Sequence, residues 1–435
     1  MRAKVNIIIG DCRQVLRSFP DGYFHCCVTS PPYWGLRHYR LPPLIWGGEG
    51  DCEHEWGDTL KRRQVGGQLK GYSSQWQLPS REAHHGGTAG QFCQKCGAWR
   101  GQLGLEPSPE LYVEHLVEVF REVHRVLHPS GTLWLNLGHT YMGSGQGWQK
   151  EDSSSWRRQW LDEFEEARRQ APTLIRHSHF KPKDLVPIPW MVGMALQREG
   201  WWLRSDIIWL KINALPESVK DRPTLAHEYL LLLSKSRRYY YDSVAIREPA
   251  KEVSIERLKR GVGVHKYTEG APGQKPHTIH RPRKKNPARL VPTMRNKRTV
   301  WSLAVQPFKG AHFAVFPASL VRPPILAGTS ERGCCPKCGS PWERLVRKAY
   351  SQYEETVTIG WSPTCDCGEE PVPCRVLDPF AGTGTTGLVA AKLFRDSVLI
   401  ELSPEYGRMA EERLRRELGG LFTEIEIKTF RKEEI

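Results

Sequence analysis

Short, continuously apolar runs alternate with amphipathic stretches along this chain. Val5–Gly10 and His25–Ser30 read as buried strands, and so do Gly131–Gly138 and Tyr229–Ser234, the latter holding the run Leu230–Leu233. Arg375–Asp378 and Ser397–Leu402 repeat the pattern near the C-terminus. Strands without polar alternation suit a sheet covered on both faces. Helices lie between them. Ser108-Pro109-Glu110 is a helix start, with Ser as N-cap and Pro at the first helical position. Behind it Val113, Leu116, Phe120, Val123 and Leu127 recur at spacings of three and four, and Pro129-Ser130-Gly131 stops the stripe. Ser403-Pro404-Glu405 opens another helix that runs to about Leu418. Residues 143–160, rich in Gly and Ser, read as a loop. No internal repeat is visible. Strand–helix alternation of this kind predicts a doubly wound α/β domain.

Composition narrows the class. The 435 residues suffice for two or three domains, and 39% hydrophobic with 26% charged residues describes a soluble globular chain. The N-terminal apolar run is too short for a signal peptide, and no stretch approaches the ~18–20 apolar residues of a membrane helix. The expectation is a cytoplasmic protein with no membrane anchor. A net charge of +15 favours a polyanionic partner, and 16 Trp supply flat faces for stacking. The charge is concentrated: residues 251–300 hold 14 Lys or Arg against three Glu, a net +11. With its scattered Gly and Pro, that segment reads as a solvated loop, as a surface that tracks phosphates, or as a loop that orders on nucleic acid.

The 12 cysteines are unevenly placed. Cys93-Gln-Lys-Cys96-Gly is a CxxC knuckle with Cys52-Glu-His54 upstream; Cys335-Pro-Lys-Cys338-Gly is a second, followed by Cys365-Asp-Cys367-Gly. Zinc takes four N or S ligands in a tetrahedron, and a CxxC turn supplies two of them. The two expected sites are Cys52, His54, Cys93 and Cys96, and Cys335, Cys338, Cys365 and Cys367. Cys334 and Cys374 are alternates for a neighbour. Four ligands leave no open position, so both sites read as structural rather than catalytic. Disulfides are the alternative, without a secretory signal to support them.

Two local motifs carry chemistry. In Val376-Leu-Asp378-Pro-Phe380-Ala-Gly382-Thr-Gly384-Thr385-Thr-Gly387 a strand feeds a glycine turn that opens a helix. The glycines admit a ligand close to the backbone, and the helix N-terminus offers free N–H groups. Glu401 ends the next strand, placed to accept from ribose hydroxyls. A dinucleotide fingerprint has the same glycine spacing, but it comes late here, and an Asp-Pro-Phe lead-in is foreign to it. Thr29-Ser30-Pro31-Pro32-Tyr33-Trp34 follows another strand. A double proline has no N–H donors, so its carbonyls only accept; with the Ser30 hydroxyl they suit the exocyclic amino group of a base on which Tyr33 stacks.

Together the two motifs resemble those of the amino-group DNA methyltransferases that use S-adenosylmethionine. Ser30, Pro31, Pro32 and Tyr33 match the catalytic motif, and Asp378 to Gly384 the cofactor motif. Catalytic first and cofactor last is the order of the circularly permuted β class. Gly10-Asp11-Cys12 is similar to the adenine-contacting segment, and His312–Pro317, with Phe316, to the segment beside the methionine end. Ala214–Pro223 and His227-Glu228-Tyr229 resemble a stretch between the catalytic half and the target-recognition region. The resemblance implies a Rossmann-like methyltransferase sheet, into which the cysteine spacing places zinc-knuckle inserts at residues 49–100 and 334–373. Residues 1–48, 101–250, 301–333 and 374–435 would build the methyltransferase domain, and 251–300 would recognise the target. Asp11, Phe316, Asp378, Phe380, Gly382, Gly384, Thr385 and Glu401 would bind the cofactor. It further implies double-stranded DNA as partner, a prokaryotic or phage origin, and room for a cognate restriction endonuclease acting on the same site. Ser before Pro-Pro-Tyr is more usual for cytosine N4, with adenine N6 as the alternative. Three other readings stand beside this one: a C5 enzyme using Cys374 after Pro373, a dehydrogenase using Gly382–Gly387, and a non-catalytic zinc-containing DNA-binding protein on the same scaffold.

Overall fold

The computed structural model describes residues 2–36, 39, 41–57, 91–142, 179–260, 294–306, 316–347, 357–419 and 423–431. The expected loop at 143–160, His312–Val315 and most of the basic segment lie outside the described residues.

Nine strands form the main sheet: β1 (Ala3–Ile9), β2 (Phe24–Thr29), β3 (Leu127–Leu137), β4 (Trp202–Lys211), β5 (His227–Ser234), β6 (Val300–Leu303), β7 (Arg375–Asp378), β8 (Asp396–Glu401) and β9 (Thr423–Thr429). Their order is β6-β4-β5-β3-β2-β7-β8-β1-β9, and β5 alone runs antiparallel to its neighbours. The expected strands are all present, displaced by a residue or so at most ends; β3 is longer, starting at Leu127 where the preceding helix ends. β4, β6 and β9 extend the sheet beyond the expected set.

Seven helices are described: α1 (Cys12–Arg17), α2 (Pro109–Val126), α3 (Ile188–Arg198), α4 (Glu252–Arg260), α5 (Ala318–Gly328), α6 (Thr385–Lys392) and α7 (Pro404–Leu418). The two expected caps form: Ser108 Oγ accepts from Leu111 N and Ser403 Oγ from Tyr406 N, both at 3.3 Å. The unbroken apolar runs are explained by burial on both faces. Leu133, Leu135 and Leu231 pack with Leu116 and Phe120 of α2, while Trp134, Leu230 and Leu232 pack with Leu320 and Ile325 of α5. No helix among the described residues is long and apolar enough to cross a membrane.

Both cysteine segments are appended to this sheet. Residues 44–46, 56–57, 91–93 and 99–101 form a small four-stranded sheet. Its Trp46 and Trp99 stack on His115 of α2, at 4.9 and 5.4 Å between ring centroids. The second segment carries a hairpin of Glu343–Arg347 with Val357–Ser362. It docks at the start of β2, where the His25 ring bonds the Gly339 carbonyl at 2.8 Å.

The central neighbours β2 and β7 decide where a site can form. From β7 the chain proceeds outward to β8, and from β2 it proceeds the other way to β3. The crevice beyond their C-terminal ends is therefore a topological switch point, where open α/β sheets bind ligands.

Candidate active site

The two motifs leave the sheet side by side. β2 ends at Thr29 and continues into Ser30-Pro31-Pro32-Tyr33, while β7 ends at Asp378. Thr29 Oγ1 donates to Asp378 Oδ1 at 2.6 Å, cross-linking the two exits. Asp378 Oδ2 accepts from Thr386 Oγ1 at 2.6 Å, and Oδ1 also accepts from Phe380 N at 3.1 Å. Its carboxylate thus shapes the glycine turn from beneath. Burial pushes its pKa up to about 6, against these three donors.

Gly382 and Gly384 adopt left-handed backbone, φ +51° and +77°. A Cβ on Gly382 would meet no protein atom within 4 Å, so the turn opens on free space. Gly387 has a different role: a Cβ there would fall 2.5 Å from Leu399 Cδ1, so it lets α6 lie close on the sheet. Glu401 ends β8 with one oxygen accepting from Gly382 N at 2.8 Å and the other from Ser403 N at 2.9 Å. Burial raises its pKa to about 7. The Thr385 hydroxyl accepts from Arg413 at 2.9 Å.

Asp11 lies beside this turn as N-cap of α1. Both its oxygens already accept from Arg13: Oδ1 from the backbone N–H, and both from the guanidinium, which donates to Oδ2 at 2.7 Å. Arg13 in turn lies 3.8 Å over the Trp46 ring.

Tyr33 anchors the opposite wall. Its hydroxyl donates to Glu228 Oε2 at 2.7 Å and accepts from Asn136 Nδ2 at 3.0 Å and, more distantly, from Ser30 Oγ at 3.4 Å. Asn136 also donates to Glu228 Oε2 at 2.9 Å, and Lys211 Nζ bonds Glu228 Oε1. Burial and the Glu228 charge keep the Tyr33 phenol well above its ordinary pKa, so it stays a donor. Tyr112 takes the Pro32 carbonyl at 2.7 Å, whereas among the described residues no donor is bonded to that of Pro31.

The two motifs, with Asp11, Asn136, Lys211, Glu228 and Glu401, border one cavity of about 800 Å³. Of the twelve expected catalytic and cofactor residues, Ser30, Pro31, Pro32, Tyr33, Asp11, Phe316, Phe380, Gly382, Thr385 and Glu401 line it. Asp378 and Gly384 stand behind them, in the strand and the helix cap. Cys374 is not among the lining residues. It directly precedes the start of β7, at the end of the strand opposite the Asp378 exit, and is buried at 1% exposure, where it cannot attack a base in this cavity.

The expected metal residues also gather. In the first cluster Cys52 Sγ lies 3.8 Å from Cys93 Sγ, and Cys96 Sγ 3.5 Å from His54 Nδ1. A zinc tetrahedron with ordinary bond lengths has edges of about 3.8 Å between sulfurs and about 3.5 Å between sulfur and nitrogen. In the second, the sulfurs of Cys335, Cys338, Cys365 and Cys367 lie within 4.8 Å of one another. His25, Cys334 and Cys374 form a third group of similar spread. There, however, the His25 ring is held by backbone at both nitrogens, Arg375 N at 3.0 Å and Gly339 O at 2.8 Å. That occupies its donor and its lone pair and makes it a clamp between sheet and insert.

A family model described as DNA methylase matches residues 24–335 and 375–412. This chain belongs to the N6/N4 DNA methylase family. Relatives within the family include the type II methyltransferase M.SmaI of Serratia marcescens, 32% identical over 94% of this chain and 90% of that protein. M.Cfr9I of Citrobacter freundii, also a type II methyltransferase, is 33% identical over 94% of this chain and 87% of its own length. Among solved structures, the cytosine-N4-specific PvuII DNA methyltransferase aligns over 97% of each chain at 15% identity with a TM-score of 0.46.

Glu228, Asn136, Lys211 and Arg13 were not among the expected site residues of this DNA methylase. Asn136 had one sequence signal, a lone amide inside the run Leu133-Trp-Leu-Asn-Leu137. Glu228 had none beyond its place in His227-Glu228-Tyr229; its partner Tyr33 is 195 residues away.

Proposed function

We propose that this chain transfers a methyl group from S-adenosylmethionine to the exocyclic N4 of a cytosine flipped out of double-stranded DNA. The observation that carries the reading is the shared cavity: Ser30–Tyr33 and the Gly382 turn open on it from adjacent strands tied by Thr29 and Asp378. The order of the motifs, with β1 lying between the C-terminal strands β8 and β9, supports a circularly permuted sheet of the β class.

The residues fit the cofactor. The open space above Gly382 admits a ligand against the backbone. Glu401 keeps lone pairs for ribose hydroxyls after its two backbone bonds, and Phe380 and Phe316 offer apolar walls. Asp11 reaches the adenine amino group only with lone pairs that Arg13 leaves over. When bound, the cofactor supplies an electrophilic methyl group on a sulfonium. The chain supplies acceptors. An exocyclic amine is a poor nucleophile because its lone pair is delocalised into the ring. Ser30 Oγ and the Pro31 carbonyl accept from its two hydrogens, which favours a tetrahedral nitrogen and frees the lone pair. Catalysis is then positioning and electrostatics, with no covalent enzyme intermediate. Tyr33, its hydroxyl fixed by Glu228, holds the flipped ring.

The same cavity accommodates an adenine, and N6 transfer is the second reading; the serine of Ser30-Pro31-Pro32-Tyr33 favours cytosine. Each four-residue cysteine cluster holds one structural zinc: the edge lengths of the first match a zinc tetrahedron, and Cys335, Cys338, Cys365 and Cys367 offer four thiolates. Kinship with type II methyltransferases supports a restriction endonuclease of the same specificity as its companion.

The test is direct. Purified protein, unmethylated DNA and S-adenosylmethionine are incubated, the DNA is digested to nucleosides, and the products are weighed. N4-methylcytosine is expected. N6-methyladenine would replace the base and keep the site; no methylated base across several DNA sources would leave the non-catalytic DNA-binding reading in its place.

A further inference from the structure

The segment between β4 and β5, residues 212–226, forms one rim of the cavity, with Asn213, Leu215 and Pro216 among its lining residues. Leu215 is 84% exposed, more than any other large apolar side chain among the described residues. A leucine in water forgoes the stabilisation that burial would bring. Val253 and Ile359, also exposed, are not among the lining residues, and Leu36, which is, is half as exposed at 42%.

The exposure is not that of a loose tip. Asn213 is clamped to Val305 in both directions: its Nδ2 donates to the Val305 carbonyl at 3.0 Å, and its Oδ1 accepts the Val305 N–H at 2.7 Å. Ala214 N donates back to Lys211 O at 3.2 Å, closing a turn directly before Leu215. Pro216 stiffens the backbone directly after it. Farther along, Arg222 pairs with Glu217 at 2.6 Å and lies 3.8 Å over the Tyr141 ring. The fold therefore braces the backbone on both sides of a bulky apolar side chain that stands in water at the mouth of the cavity.

On the function proposed above, on which this inference rests, a base leaves its stack and enters through that mouth. It leaves behind a gap one base thick between apolar faces. Proteins that distort DNA fill such gaps with inserted Leu, Ile, Phe or Met. We propose that Leu215 is the wedge: on binding double-stranded DNA it enters the stack at the position vacated by the target base and keeps that base out. The wedge stabilises the flipped state, not the methyl transfer that follows. It matters where the target base has a partner to return to, and little where it has none.

The experiment compares two duplexes carrying the mapped target base, one fully paired and one with the target opposite an abasic site. Single-turnover methyl transfer is measured for the full-length protein and for Leu215→Ala, Leu215→Phe and Ile359→Ala. Leu215→Ala is expected to slow transfer about tenfold or more on the paired duplex and less than about twofold opposite the abasic site. Leu215→Phe restores most of the paired rate, and Ile359→Ala changes neither. Equal loss on both duplexes, or no loss on either, overturns the wedge and leaves the methyltransferase reading intact. No transfer by the unaltered protein to either duplex overturns both.

Discussion

The Tyr33 hydroxyl donates a 2.7 Å hydrogen bond to Glu228 Oε2, joining the Ser30–Tyr33 turn after β2 to the antiparallel strand β5. Asn136 on β3, which lies between them in the sheet, bonds both groups. The ring that would grip the base is thus oriented from three strands. Tyr33→Phe keeps the ring and removes the hydroxyl with its bonds to Glu228, Asn136 and Ser30; Asn136 and Glu228 still bond each other, so the net cost is about 0.5–1.5 kcal/mol. Methyl transfer is expected to slow about twofold to tenfold with cofactor affinity unchanged. Glu228→Gln also removes the partner of Lys211 and is expected to cost more. Single-turnover rates and calorimetric cofactor titration read both; a Tyr33→Phe rate equal to that of the unaltered protein would show that the hydroxyl does not orient the ring.

Glu401 gives a pH dependence. Burial raises its pKa from 4.5 to about 7. The ionised form is the stronger acceptor for ribose hydroxyls, so cofactor affinity is expected to rise between about pH 6 and pH 8. For stability the sign is opposite. The unfolded chain ionises first, so this group destabilises the unliganded fold progressively from about pH 4.5 to about pH 7, and that cost persists above it. Glu401→Gln should flatten the affinity profile across that range. A profile that keeps its slope in the variant would assign the titration to another group.

Arg13 and Asp11 are a buried ion pair, 7% and 8% exposed, with Arg13 capped by the Trp46 ring. Arg13→Gln strands the Asp11 carboxylate and is expected to destabilise the protein by about 3 kcal/mol or more. Asp11→Asn retains a side-chain oxygen for the helix cap and should also leave cofactor binding measurable. Urea unfolding of both variants checks the difference; a loss below about 1 kcal/mol for Arg13→Gln would mean the pair is solvated in solution.

Metal content is the fourth kind of test. The purified protein is expected to hold about two zinc ions per chain. Their removal should lower the melting temperature, because each site ties a small appended sheet or hairpin to the main fold. Cys93→Ser and Cys335→Ser should each remove about one ion. Full metal removal with unchanged melting would exclude a structural role.

The sequence by itself determined six of the nine strands of the main sheet, the two Ser-Pro-Glu helix starts and the chemistry of the motifs. Burial on both faces leaves an unbroken apolar run such as Leu230–Leu233, and a Ser-Pro-Glu start caps a helix using only neighbouring residues. Both are local signals, legible within a few positions. The glycine turn and the double proline are local too, so ten of the twelve expected residues line the cavity and two lie directly behind it. The tertiary structure alone decided which strands are neighbours, and through that the partners of each polar group. Thr29 meets Asp378 across 349 residues, and Tyr33 meets Glu228 across 195, because β2 lies between β7 and β3 in the sheet. Asp11 likewise reads as a free acceptor in sequence and is taken up by Arg13 once α1 packs beneath Trp46. Such pairings follow from the order of strands and the packing of distant side chains, which no short-range pattern encodes.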